Sequence, residues 1–291
     1  MVCRKRNPNP PVDFLDAKWD DWRAKALDDG GVHEANKRLY RDTTKDVLIP
    51  LYDRKCAYCE RSRGYEVQID HYRPTKTRNN KKDPHYNQPG YYWLAYTYSN
   101  LMPLCSKCNG VKSNKFPLLG WSETNRIDHH IPTPPITDAN IHDLVWLNKN
   151  EKPFLLHPEI EQNLARHFKF LNDGRIKGRT DLGNETIEIV QLDRPDLIID
   201  RKKIIDDIVN KLCKKFIQYV DDLNEVRLKG GLEVIFDDIV NGVQESHVFS
   251  LFYTFIYKYF EYYIGSQLPT PYITHKAIDY WEEFKLEHQL A

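Results

Sequence analysis

Lys55-Cys-Ala-Tyr-Cys-Glu60, Gln68-Ile-Asp-His-Tyr-Arg-Pro74 and Ser99-Asn-Leu-Met-Pro-Leu-Cys-Ser-Lys-Cys-Asn-Gly-Val-Lys-Ser-Asn-Lys115 are the stretches on which the fold of this chain turns. They contain two CxxC pairs, Cys56/Cys59 and Cys105/Cys108. A CxxC turn aims two thiolates at one point, so two such turns complete a tetrahedral four-sulfur site for structural Zn²⁺. In a reducing compartment zinc is the expected outcome rather than two disulfides. The 45 residues between the pairs mean that tertiary structure, with an insertion, must bring the two turns together. A redox dithiol would need a thioredoxin-like βαβ context, which the pattern does not offer. Of the other cysteines, Cys213 falls on a helical stripe as a small packed residue and Cys3 falls in the N-terminal stretch.

Working outward, the 291 residues leave room for one large or two to three small domains. At 41% hydrophobic, 12% aromatic and 29% charged, the chain can bury a core and is not a disordered polyelectrolyte. No run of 18 uncharged apolar residues exists and the first residues lack an apolar signal stretch. The expectation is a cytoplasmic protein with no membrane partner. The 42 basic and 42 acidic residues cancel, but residues 54–120 carry a local +8. Such segregation suits a segment that meets a polyanion; a solvated basic loop at Lys76–Lys82 is the plainer alternative.

Periodicity divides the rest. Asp13 as cap and Leu15, Trp19, Trp22 and Ala26 at helical spacing predict a helix ending at Gly30-Gly31. A second helix is predicted over about 33–52, bent near Pro50. Residues 120–158 read mostly as loop. The run 167–178 alternates around Asp173-Gly174, a hairpin signal. A long helix is predicted from Pro195, capped by Asp193, with Ile205, Ile208, Leu212, Phe216, Tyr219 and Leu223 as its stripe and Gly230-Gly231 as its break. Two more helices are predicted near 246–264 and 274–287. On the first of these, Val248, Leu251, Phe252, Phe255, Ile256, Tyr259 and Phe260 read as the buried stripe. Tyr253, Tyr257 and Tyr262 then form a second face suited to docking a partner, with a helix sandwiched inside the C-terminal domain as the plainer alternative. The domains expected are a helical segment 1–52, a core 53–120, a connecting region 121–185 with a short hairpin, and a helical domain 186–291.

The order Cys-Cys, Asp-His, Asn, Cys-Cys-Asn, Lys, Lys resembles the HNH nucleases, whose ββα-metal site is often braced by a four-cysteine zinc. The resemblance implies an α+β fold with a ββα-metal core between N-terminal helices and a mainly helical C-terminal domain. It implies His71 as general base, Asp70 and Asn109 as ligands of a catalytic Mg²⁺ or Mn²⁺, and Asn100 as the residue orienting the loop that carries the histidine. Lys112, Lys115 and Arg73 would contact nucleic acid. The stretches 55–60, 69–74, 91–96 and 114–118, continuing through 155–158 and 173–176, look like the HNH subunit of Septu-type and retron-associated antiviral defence systems. That likeness implies an ABC-type ATPase as partner, which the face of Tyr253, Tyr257 and Tyr262 would dock, and DNA as the first substrate. His157 and His167 lie in the shared stretch and read as structural histidines, and His129-His130 as surface.

The residue types suit the chemistry. A neutral imidazole takes a proton from water near neutral pH, and the hard oxygens of Asp70 and Asn109 suit Mg²⁺. On a helix Asn109 and Lys112 share a face. The tyrosine-rich insertion with Tyr86, Tyr91, Tyr92, Trp93, Tyr96 and Tyr98 reads as packing beneath the site, with a base-contacting loop as the alternative. The competing function is a non-catalytic zinc-ribbon nucleic-acid-binding or scaffold subunit, which needs the cysteines and the lysines but not Asp70, His71 and Asn109 together.

Overall fold

The computed structural model describes residues 17–62, 66–76, 89–119 and 141–289. Asp13, Leu15, Cys3, Tyr86, His129-His130 and most of Lys76–Lys82 lie outside these residues. The chain divides into two units, residues 1–167 with 178–191, and residues 168–177 with 192–291. Among the described residues the elements are mostly helical with two small sheets, an α+β content.

In the first unit, α1 (Ala17–Asp29) buries Trp19 and Ala26 at helical spacing. Helix α2 (Lys37–Leu51) starts at Asn36, whose side chain accepts the Leu39 N–H. It buries Tyr40, Thr44 and Leu48 at i, i+4 and i+8, and Pro50 sits in its last turn. Tyr96 joins these helices to the core. Its ring meets Trp19 edge-on at 6.0 Å and its hydroxyl lies 3.0 Å from His33 Nε2 and accepts from the Asn36 N–H. Tyr91, Tyr92, Tyr96 and Tyr98 are all buried, so the aromatic insertion packs beneath the site.

Strands β1 (Gln68–His71) and β2 (Leu101–Leu104) pair antiparallel, Asp70 opposite Met102 and His71 opposite Leu101. Along β1 the odd residues Ile69 and His71 point inward while Asp70 is half-buried, the period-two alternation of a strand. Helix α3 (Ser106–Lys112) follows β2 directly and contacts β1. The expected loop over 120–158 is corrected where it is described. Residues Ile141–Glu151 form α4, because Leu144, Leu147 and Glu151 are buried at i, i+3 and i+7. Helix α5 (Asp181–Val190) is capped by Thr180 and packs on α3.

Beyond β1, Arg73 is fully buried. Its Nε donates to Glu151 at 2.8 Å and its Nη2 to Asn148 Oδ1 at 2.8 Å, both on α4. Burial alone would lower the Arg73 pKa, but the Glu151 carboxylate beside it raises it.

In the second unit, β3 (Phe168–Phe170) and β4 (Ile176–Gly178) pair around Gly174, as the hairpin signal predicts. Gly174 has φ +87° and a Cβ there would meet Ile198 O at 2.3 Å, so only glycine fits this turn. Asp193 does not cap the next helix; its carboxylate accepts the Ile176 N–H at 2.7 Å instead. Helix α6 (Pro195–Asp222) begins with proline in its first turn and buries Ile205, Ile208, Leu212 and Phe216. Cys213 on this helix is half-buried.

The expected break at Gly230-Gly231 is also corrected. The chain turns at Leu223, which is left-handed and exposed, and Asn224 caps α7 (Glu225–Val243), which runs through both glycines. Glycine costs about 1 kcal/mol inside a helix, and α7 offsets this by burying Leu228, Leu232, Ile235, Phe236 and Ile239. The expected helix 246–264 is two pieces, α8 (Ser250–Lys258) and α9 (Phe260–Tyr263), and α10 (Pro271–Glu287) closes the unit.

The expected tyrosine face is not continuous: Tyr262 is exposed, while Tyr253 and Tyr257 are half-buried. Tyr253 lies against Gly242 and the His247 ring, and Tyr257 packs edge-on to Trp281, all within this unit. Tyr259, expected in the stripe, is instead half-exposed. Among the described residues no helix is long and apolar enough to cross a membrane.

Removing one member of a buried ion pair strands the other charge. Glu151→Ala should therefore cost about 3–5 kcal/mol, read as a lower denaturation midpoint in urea, with Glu151→Gln losing less.

Candidate metal centre and adjoining polar pocket

Cys56 and Cys59 sit on a tight turn held by Cys56 N–H to Arg61 O and Glu60 N–H to Cys56 O. The turn is tied to β2 by Ala57 N–H to Pro103 O at 2.9 Å. Cys105 follows β2 and caps α3, its sulfur accepting the Cys108 N–H at 3.4 Å, and Cys108 lies in the first helical turn. The two turns are thereby brought together around the ends of the sheet. The four sulfurs lie within 4.8 Å of one another and all four residues are buried.

Tetrahedral Zn–S bonds of about 2.3 Å require sulfurs about 3.8 Å apart, and Cys59 Sγ lies 3.8 Å from Cys105 Sγ. The donor set and its spacing fit a structural zinc. Without a cation, burial pushes the Cys56 thiol well up, so filling the site with Zn²⁺ means expelling protons.

The turn of α3 after Cys108 carries Asn109 and Lys112 toward β1. A cavity of about 170 Å³ is lined by Asp70, His71, Asn109 and Lys112 together with Tyr40 and Arg41. His71 is nearly buried. Its Nε2 lies 2.8 Å from Ala95 O; a carbonyl only accepts, so Nε2 carries the proton and Nδ1 of the neutral ring keeps a lone pair. Nδ1 lies 3.5 Å from Asp70 Oδ1. Burial would raise the Asp70 carboxyl, but the hydrogen bond and charge of His71 once it is protonated, with the Lys112 charge and the His71 backbone N–H at 2.8 Å, hold it well below the usual carboxylate range. The Tyr40 ring packs on His71 at 4.6 Å between centroids, and burial pushes its hydroxyl up to about 12.

Asn109 donates to Gln68 Oε1 at 3.2 Å, which leaves its own amide oxygen as an acceptor. Lys112 is buried and its Nζ donates to His71 O at 2.9 Å, bracing α3 against β1. Asn100 is fully buried away from the pocket. Its Oδ1 accepts the Arg73 N–H at 2.9 Å and its Nδ2 donates to Arg73 O at 3.1 Å, fastening the chain just after His71.

Lys115 is exposed beyond α3. Arg73 is a correction: expected to meet nucleic acid, it is spent on Glu151 and Asn148 inside the unit. His157 and His167 are buried. His157 Nδ1 accepts the Glu159 N–H, and His167 bonds Thr180 Oγ1 at 2.7 Å. Sequence reading missed Tyr40 and Arg41, which reach the cavity from α2; a buried-stripe position at Tyr40 was the only available signal.

Four clustered thiols at the start of a short helix, beside an antiparallel strand pair, define a cysteine-knuckle protein able to hold zinc. No protein-family model matches the chain. The chain is similar to the Septu protein PtuB of Bacillus mycoides (strain KBAB4), 31% identical over 196 residues, 65% of this chain and 59% of that one. It is also similar to the Septu protein PtuA of the same strain, 28% identical over 166 residues, 57% of this chain and 21% of that one. The chain thus spans less than two thirds of the length of either curated relative.

Protein purified without added metal should contain about one zinc per chain, and Cys105→Ser should lower both zinc content and folded yield, since site formation is folding free energy. Calorimetric zinc titration in buffers of different ionisation enthalpy should report proton release. The raised Cys56 thiol is protonated at neutral pH, so zinc affinity should fall as pH falls.

Proposed function

We propose that the protein is a metal-dependent HNH-type endonuclease that hydrolyses nucleic-acid phosphodiester bonds, DNA first, in a Septu-type antiviral defence system alongside an ATPase subunit. One observation carries this reading: Asp70, His71 and Asn109 line a single cavity, with the His71 ring held by Ala95 O in the tautomer that leaves Nδ1 basic. The similarity to PtuB and PtuA supports the defence setting.

His71 Nδ1 takes the proton of an attacking water. The imidazolium so formed lies 3.5 Å from the ionised Asp70, which offsets its charge. Tyr40 and Ala95 hold the ring plane, so little reorganisation accompanies the transfer. Asp70 and the Asn109 amide oxygen are the hard oxygen donors that would hold Mg²⁺ or Mn²⁺. One carboxylate with one amide matches the sparse protein ligation that Mg²⁺ accepts beside phosphate. When bound, that ion would supply polarisation of the phosphate and charge neutralisation at the leaving oxygen. Lys115, exposed next to this site, supplies a backbone phosphate contact.

His71→Ala should lower the rate of plasmid cleavage in Mg²⁺ by ~10²–10⁴, with zinc content and circular dichroism unchanged. Cleavage at the parental rate by the variant would refute the assignment. DNA binding by the parent with no cleavage in Mg²⁺ or Mn²⁺ would leave the zinc-ribbon scaffold reading instead.

A further inference from the structure

The cavity that holds Asp70 and His71 is closed on one side by α2, an element outside the stretches that carry the HNH resemblance. From this helix Lys37, Tyr40 and Arg41 line it, and Lys76 and Lys112 complete a ring of four cations facing one carboxylate. Arg41 is the best-placed of them. Its Nε donates to Ile69 O at 3.1 Å, the carbonyl immediately before Asp70. Its guanidinium carbon also lies 5.8 Å from the centroid of the neighbouring Tyr40 ring. A guanidinium has five N–H donors in a fixed plane, so these two anchors orient the group and leave further donors.

An ionised Asp70 repels any phosphate that enters, and Lys112 is committed to the His71 carbonyl. A phosphodiester anion therefore needs another fixed cation at the cavity. The planar fork suits two oxygens of one phosphate better than a flexible lysine does.

We infer that Arg41 is the phosphate-binding residue of this site, delivered by α2 and oriented by Ile69 O and Tyr40, so that it grips the phosphodiester that His71-activated water attacks. This rests on the nuclease reading above. A purely architectural role is the competing account, because among the described residues Arg41 is the donor that meets Ile69 O.

The test uses the full-length chain with Arg41→Gln and Arg41→Lys, each also combined with His71→Ala for binding without turnover. The probe is a short DNA duplex titrated over a range of salt. Arg41→Gln should lower kcat/KM for cleavage by about 10²-fold and reduce the slope of log affinity against log salt by about one. Arg41→Lys should keep the salt slope and still lose rate, since an ammonium keeps the charge but lacks the planar fork that fits two phosphate oxygens.

If the parent cleaves and Arg41→Gln matches it in rate and slope, the inference is overturned and the nuclease reading stands. A rate loss that follows a lowered melting temperature, with the salt slope unchanged, assigns Arg41 to bracing β1 and also overturns it. If the parent neither binds nor cuts DNA, both readings fall.

Discussion

Four buried sulfurs at the first turn of α3 are the constraint on which the first unit depends. Cys105 directly follows β2, caps α3 and belongs to the cluster, so one residue joins strand, helix and cluster. The direction in which α3 leaves the sheet is fixed there, and Asn109 and Lys112 follow within two turns. A small sheet of two four-residue strands cannot support such an arrangement alone. The sulfur cluster, the Lys112 brace to His71 O and the Asn100 clamp on Arg73 supply what the sheet lacks.

Electrostatics around the cavity follow from the same packing. Asp70 is kept ionised by groups that are themselves fixed, His71 on the neighbouring position and Lys112 on α3. The Arg73 charge just beyond β1 is directed away from the cavity and neutralised by Glu151 on α4. The interior charge and the cavity charge are thus handled separately, one by a buried pair and the other by cations at the rim.

The cysteines, Asp70-His71 and Asn100 were legible because each is a short local signal whose order along the chain is informative. The buried role of the tyrosine stretch was legible from its density of large rings. The partners of Arg73 were not: Asn148 and Glu151 lie 75 and 78 residues away, in a segment whose asparagines and prolines masked the Leu144 and Leu147 stripe. Nor was the α2 contribution, because an arginine on an amphipathic helix looks like any solvated one until the tertiary fold sets it beside β1. Gly230-Gly231 misled for a related reason, since apolar burial along α7 outweighs a local penalty of about 1 kcal/mol per glycine.

The first unit is not continuous in the chain. Residues 178–191 return to it after the turn at Gly174, and α5 then serves residues far upstream. Thr186 Oγ1 accepts the Leu156 N–H and donates to Phe154 O, Thr180 Oγ1 meets His167, and a Cβ at Gly183 would strike His167 O. A fragment cut at residue 167 would lose all of these and bare the face of α3 that α5 covers. The cysteine-bearing half is therefore not a cassette to be lifted out at the obvious hairpin. Any exchange between related chains must carry residues through 191, and a recombination point inside the hairpin would separate α3 from its support.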